Sequence, residues 1–101
     1  MKNREIPKGL RDLLPEEVAV HRDMQQKAAR LFTSYGYREV VTPTFEFLEV
    51  VESGTGGDIR KDLFLFMDRE GGILCLRPEM TVSIARLAAT HMHDLDFPQR
   101  L

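Results

Sequence analysis

The chain has 101 residues, of which 43% are hydrophobic and 30% are charged, and its 14 lysines and arginines nearly balance its 16 acidic residues. A chain of this length fits one small domain, and this composition excludes a disordered, collagen-like or repeat architecture. The formal net charge of −2 gives no electrostatic case for a nucleic-acid partner.

The single cysteine, Cys75, excludes a disulfide within the chain, so we expect a protein of the reducing cytoplasm. Apolar runs all fall well short of the roughly 18 residues of a membrane span, so we expect no membrane partner. The histidines lack the spacing of a metal site, because His21 has no second ligand one turn away and His91 and His93 would point to different helix faces.

The first predicted element is a long amphipathic helix from Pro15 to Tyr35. Pro15 suits a first turn, Glu16 and Glu17 complement the positive end of the helix dipole, and Gly36 supplies a left-handed stop. Apolar or small residues share one face at spacings of three and four: Val18, Met24, Ala28, Leu31, Phe32 and Tyr35.

Three short segments follow the helix. Residues 37–43 (YREVVTP) predict a strand, with Pro43 at its end or edge because proline cannot donate to a ladder. Residues 45–53 (FEFLEVVES) fit either an irregular turn or a short helix, and the sequence leaves both open. Residues 54–58 (GTGGD) predict a surface loop, because they follow no clear strand and lack the lysine and hydroxyl of a phosphate-binding loop.

A hairpin and a second amphipathic helix complete the predicted elements. Residues 62–69 and 72–78 are apolar runs joined by a glycine-containing turn, which predicts antiparallel strands. Since apolar residues do not alternate with polar ones, we expect both strands to be buried on both faces. The helix covers residues 79–91, with Ile84, Leu87, Ala88 and His91 on one face.

The hairpin ends in the charged stretch LRPEMT. In the simpler interpretation, Glu79 and Thr81 cap the next helix while Arg77 pairs with Glu79 or Asp68. We favour another role, because a carboxylate leaving a doubly buried strand is costly unless a cation meets it. The ammonium group of a small zwitterion, bound by Glu79 and the Thr81 hydroxyl, would meet that need.

The order of these pieces resembles the N-terminal part of the catalytic core of histidyl-tRNA synthetases and of their paralogue, the regulatory subunit of ATP phosphoribosyltransferase. The resemblance runs from PKGLRDLLPEE through VVTPTFEFLEVV to LFLFMDREGGILCLRPEMT, and so covers nearly all of residues 1–101. It implies an α+β fold, namely the N-terminal portion of a class II aminoacyl-tRNA synthetase-like antiparallel sheet with flanking helices.

The resemblance also implies roles for particular residues. The long helix, the following strand and Pro43 look like motif 1 of class II synthetases, which implies a dimer interface at Val41 and Pro43. LRPEMT looks like the histidine-binding signature, which implies that Glu79 and Thr81 hold the α-amino group of histidine. Arg77 and Pro78 would frame that pocket. Motifs 2 and 3, with their ATP-binding arginines, have no counterpart, so we expect no catalytic residue, cofactor or amino-acid activation.

Met80 favours one paralogue, because synthetases commonly have glycine at that position of the signature, and the continuation TVSIAR also resembles the regulatory subunit. The implied function is regulatory: assembly with the ATP phosphoribosyltransferase catalytic subunit, in a homodimer or higher hetero-oligomer, and histidine sensing for the first step of histidine biosynthesis. The alternatives are part of a histidyl-tRNA synthetase, or a dimerisation module without a ligand.

Overall fold

The computed structural model describes residues 4–55, 59–96 and 98–101. The chain divides into two compact units, Met1–Tyr37 and Arg38–Leu101. The first contains the long helix, and the second contains a small sheet and two shorter helices. Within the described ranges, no helix combines the length and the apolar character that a membrane crossing requires.

Helix α1, Pro15–Ser34, confirms the predicted long helix. Glu16 and Glu17 lie in its first turn, next to the unpaired amide groups of the helix start. Gly36 follows with a φ of +85°, the left-handed conformation that ends a helix at little cost for glycine. Every residue of α1 is exposed, so within its own unit the apolar stripe packs against no core.

The predicted strand at residues 37–43 is wrong. Its backbone groups find partners outside a sheet: the Arg38 amide donates to the Arg100 carbonyl at 2.9 Å. The carbonyls of Thr42 and Pro43 accept from the Arg77 guanidinium instead. Because these groups are satisfied without a neighbouring strand, the β-branched composition alone does not produce one.

The ambiguous stretch at residues 45–53 contributes to two elements, strand β1 at Phe45–Phe47 and helix α2 at Leu48–Thr55. Leu48 and Val51 of α2 are buried. The predicted loop at residues 54–58 begins inside α2, and its remaining residues 56–58 lie outside the described part of the chain. A short 3-10 helix, Arg60–Asp62, leads to the hairpin.

The predicted hairpin is confirmed by strands β2, Leu65–Met67, and β3, Ile73–Leu76. The sheet is antiparallel with β3 in the centre, in the order β1-β3-β2. The hairpin turn is closed by Asp68, whose carboxylate accepts from the amides of Glu70 and Gly72 at 2.9 and 2.7 Å. The fold is therefore the expected α+β arrangement of an antiparallel sheet with helices.

The expectation that both hairpin strands are buried on both faces is wrong. Only Cys75 of β3 is fully buried, and its face of the sheet packs against α2 and also meets α3, the helix Thr81–His91. The opposite face carries Phe45 and Phe66, whose rings meet edge to face, and Phe45 is 48% exposed. Among the described residues, the helices thus cover one face of the sheet, so an apolar run without alternation does not imply burial on both sides.

Candidate functional site

The predicted signature forms the turn between β3 and α3, and Glu79 lies at its centre. The Glu79 carboxylate accepts from the Thr81 backbone amide at 2.7 Å and from the Val82 amide at 3.2 Å. These amides belong to the first turn of α3, where backbone donors have no partner within the helix. Glu79 therefore caps α3 through its own side chain.

The same contacts favour the ionised form of Glu79. The Thr81 hydroxyl, and then the backbone amides of Thr81 and Val82, hold the pKa of Glu79 below its ordinary value of 4.5. Hydrogen bonds to a carboxylate stabilise its charge, so the group is anionic at neutral pH. Glu79 and Thr81 thus contact each other, and their role as ligand-binding residues stays a prediction.

The expectation that Glu79 is a buried carboxylate in need of a cation is nevertheless wrong. Glu79 is exposed, and so is Pro78 before it. The turn lies at the surface because β3 ends at Leu76, which is itself 39% exposed. Burial therefore imposes no need for a cation. The geometry provides an oriented anion. An ionised carboxylate offers about four acceptor positions, and the two backbone amides and the Thr81 hydroxyl use only part of that capacity.

Arg77 has partners other than the predicted Glu79 and Asp68. One guanidinium nitrogen donates to the Thr42 carbonyl at 2.9 Å, to the Thr42 hydroxyl at 2.7 Å and to the Pro43 carbonyl at 3.1 Å. The Arg77 amide also donates to the Thr44 carbonyl at 3.1 Å. Thr42 is only 4% exposed, so this contact fixes the start of the turn against an inner part of the fold.

The buried carboxylate of this region is Glu46 of β1, which sequence reasoning missed. Glu46 is 6% exposed, and its Oε2 accepts from the Ser83 hydroxyl at 2.9 Å. Its Oε1 lies 2.8 Å from Nε of Arg86, but the Nε–H does not point along a hydrogen bond, so this contact is an ion pair without hydrogen-bond alignment. A buried charge with a cation beside it is the arrangement we had expected at Glu79.

A signal for Glu46 exists in the sequence. Glu46 stands between Phe45 and Phe47, and alternation along a strand sends its side chain to the face opposite the two rings. Ser83 and Arg86 are three residues apart, and so they lie on one face of α3. Because residues 45–53 fit either an irregular turn or a short helix, the sequence does not predict the strand that brings Glu46 to Ser83 and Arg86.

Cys75 lies opposite Glu46 in the sheet, and its thiol is 3.6 Å from the Glu46 backbone carbonyl. Burial, followed by the negative charges of Glu46 and Glu52, raises the pKa of the Cys75 thiol. A buried neutral thiol is a poor nucleophile, so the site offers no reactive cysteine.

The predicted interface residues lie on the segment before β1. Val41 is 83% exposed, and Pro43 is exposed as well. They flank the buried Thr42, and their role in a dimer stays a prediction.

A separate open cavity of about 300 Å³ lies beside the sheet, lined by Phe47, Leu48, Glu49, Glu52, Arg60, Gly72 and Ile73. Arg60 binds the Glu52 carboxylate through two of its nitrogens, and this holds the pKa of Glu52 below its usual value. None of the predicted site residues lines the cavity. In the described ranges, no three histidine, cysteine, aspartate or glutamate side chains gather as metal ligands would.

Comparison with known proteins extends over nearly the whole chain. Residues 9–101 match the family model of histidyl-tRNA synthetase. The ATP phosphoribosyltransferase regulatory subunit of Moorella thermoacetica is 45% identical over 97 residues, which are 96% of this chain and 25% of the relative. The histidine–tRNA ligase of Methanocaldococcus jannaschii is 43% identical over 95 residues, which are 94% of this chain and 23% of the relative.

A solved structure has the same fold. The ATP phosphoribosyltransferase regulatory subunit/histidyl-tRNA synthetase from Bacillus halodurans matches with a TM-score of 0.82 and 35% identity, over 95% of this chain and 25% of that one. The chain spans about a quarter of the length of the curated relatives it matches. The expected class II synthetase-like fold is confirmed, and the chain belongs to the histidyl-tRNA synthetase family, in which it resembles regulatory subunits of ATP phosphoribosyltransferase as well as ligases.

Proposed function

We propose that the chain is part of a regulatory subunit of ATP phosphoribosyltransferase, which assembles with the catalytic subunit and senses histidine at the turn between β3 and α3. The observation that carries this proposal is the identity of 45% and 46% to two such regulatory subunits, each over 96% of the chain. Met80 in place of glycine, directly after Glu79, supports the same paralogue.

The geometry of Glu79 supports recognition of an amino acid by its ammonium group. Two backbone amides of α3 orient the carboxylate, so little freedom remains to be lost when a cation binds. A hydrogen bond from an ammonium to a carboxylate is charge-assisted and about twice as strong as a neutral one. The Thr81 hydroxyl adds an acceptor beside Glu79, while Arg77 and Pro78 frame the turn.

In this proposal the subunit is cytoplasmic and acts through assembly rather than catalysis. Val41 and Pro43 contribute to a dimer or higher hetero-oligomer, and their exposure leaves them accessible to a second chain. The catalytic subunit performs the reaction, and bound histidine reports the level of the end product.

The test is a calorimetric titration of L-histidine into the chain and into Glu79→Gln. The neutral amide keeps the size of the carboxylate but removes its charge, so we expect binding to be lost. Glu70→Gln is the matched control, because Glu70 is also exposed but lies in the hairpin turn. Imidazolepropionate, which lacks the ammonium group, should not bind. Equal binding by Glu79→Gln, or no binding by the unaltered chain, would contradict histidine sensing.

A second candidate function is histidine activation and tRNA charging as part of a ligase. It is favoured by the 43% identity to the Methanocaldococcus jannaschii ligase. The two candidates differ in a measurable activity: a regulatory subunit should change the rate of an ATP phosphoribosyltransferase catalytic subunit in a histidine-dependent way. A ligase should instead support histidine-dependent exchange of pyrophosphate into ATP.

A further inference from the structure

Both ends of the turn that carries Glu79 and Thr81 contact one short segment, Thr42–Glu46. At the first end, the Arg77 guanidinium donates to two carbonyls and a hydroxyl of Thr42 and Pro43. Its backbone amide donates to the carbonyl of Thr44. These four donations link the residue after β3 to a segment more than thirty positions earlier in the chain.

At the second end, the contact is made by Glu46. Ser83, which is 1% exposed, donates to Oε2 of Glu46, and Arg86 places its charge beside Oε1. Both residues lie in the first two turns of α3. The carboxylate therefore holds the start of this helix against the sheet from the inside.

The two anchors flank the candidate site closely, because only residues 78–82 lie between Arg77 and Ser83. Pairing of Phe45 with Leu76 in the sheet sets the distance between the anchors. We propose that the segment Thr42–Glu46, here called the clamp, positions the turn of Glu79 and Thr81 for ligand binding. Thr42 and Glu46 are then positioning residues that touch no ligand, and their role rests on the proposed histidine site.

A clamp is needed because the Glu79 cap is local. The amides of Thr81 and Val82 orient the carboxylate relative to α3, but they do not orient α3 relative to the sheet. A binding group must stay within about 0.5 Å of its productive position, which exposed turns do not achieve without supporting contacts. Contacts at the two ends supply that support from buried groups.

The first readout needs no ligand. Backbone order and amide exchange of Thr81 and Val82 are measured by NMR in the unaltered chain, in Glu46→Ala, Glu46→Gln and Thr42→Val. We expect the largest loss of order in Glu46→Ala. Smaller losses should follow in Glu46→Gln, which can keep the Ser83 bond, and in Thr42→Val, which leaves the carbonyl acceptors of Arg77. If the backbone order of Thr81 and Val82 is unchanged in the variants that fold, the clamp is overturned. If Glu46→Ala does not fold, the result for Glu46→Gln and Thr42→Val decides.

Val51→Ala is the control for a general loss of stability. Val51 is buried in α2 at 1% exposure, and it belongs neither to the clamp nor to the turn that carries Glu79 and Thr81. We expect this substitution to lower the melting temperature while it leaves the order of Thr81 and Val82 unchanged. An equal loss of order at Thr81 and Val82 in Val51→Ala would show that order in the turn follows overall stability, and this would overturn the inference.

The second readout is histidine affinity by calorimetry. We expect about tenfold weaker binding in Glu46→Gln, the low end of the loss seen when an outer-shell partner of a metal ligand is changed, and unchanged binding in Val51→Ala. If the unaltered chain binds no histidine, the proposed function fails while the order of the turn still decides the clamp. If histidine binds equally well to Glu46→Gln and Thr42→Val, the clamp fails while the proposed function stands.

Discussion

Helix α3 is held in two different ways at two places. At its exposed start, Glu79 bonds to amides two and three residues ahead in the chain. On its inner face, Ser83 and Arg86 meet Glu46, which is 37 residues from Ser83 in sequence. A glutamate thus caps a helix when its partners are local and exposed. It fixes a helix within the fold when its partners are distant in sequence and buried.

The two places also differ in what a lost contact costs. Water can replace hydrogen bonds at an exposed carboxylate, so the cap is screened and inexpensive to lose. At Glu46 water is excluded, and removal of the carboxylate would leave Arg86 beside a cavity without its counter-charge. The inner face of α3 should therefore dominate the stability of this unit.

The largest expected effect is that of Glu46→Ala. Because it removes a buried carboxylate and leaves Arg86, whose side chain is 28% exposed, without its counter-charge, we expect the free energy of unfolding to fall by about 2–3 kcal/mol. Urea denaturation followed by circular dichroism measures the change. Ser83→Ala, which removes one hydroxyl but leaves the ion pair, should cost about 1 kcal/mol. Equal losses of unfolding free energy in Glu46→Ala and Ser83→Ala would show that the ion pair with Arg86 adds no stability. The contrast between the buried Glu46 and the exposed Glu79 would then fail.

Gly54→Ala tests the packing of α2 against α3. A Cβ at Gly54 would lie 2.6 Å from Cγ2 and 2.9 Å from Cγ1 of Val82, closer than real contacts. We expect a net loss of about 1–2 kcal/mol, because overpacking outweighs the better helix propensity of alanine. Thermal unfolding measures the effect, and Val82→Ala in the same chain should relieve it. A double variant no more stable than Gly54→Ala would mean that the strain lies elsewhere.

Glu79→Gln should have a smaller and pH-dependent effect. The folded-state pKa of Glu79 is lowered, so its contribution to stability is fully present above the ordinary value of 4.5 and is lost as the pH falls through the folded value. We expect the variant to melt below the unaltered chain at pH 7, and the gap to close in acid. Glu70→Gln, at an exposed carboxylate in the hairpin turn, is the matched control for the change of charge. A gap that stays constant with pH would contradict the role of the charge in the cap.

The smallest effect is expected on α1, where Lys27 and Asp23 form an exposed ion pair at 2.9 Å. Asp23→Asn should change the free energy of unfolding by less than about 0.5 kcal/mol, since solvent screens the pair. Comparison of denaturation at low and high salt checks this expectation. A loss comparable with that of Glu46→Ala would mean that burial is not what distinguishes the two pairs.

Local chemistry explains which predictions are confirmed. Helix α1 has its proline and acidic residues at the start and Gly36 at the end, and the hairpin has a glycine turn closed by Asp68. These signals act over a few residues, so they can be read without knowledge of the fold. The segment Thr42–Glu46 has only the alternation around Glu46 as a local signal, and this does not reveal its hydrogen-bond partners, Arg77 and Ser83, which are distant in sequence.

The sequence by itself determined the long helix α1, the hairpin, helix α3 and the resemblance to the histidyl-tRNA synthetase family. Only the tertiary structure decided which carboxylate is buried, which face of the sheet is covered, and which residues Arg77 binds. The physical reason is distance along the chain: caps and turns are made between neighbours, whereas burial is set by the elements that pack against a residue from far away in sequence.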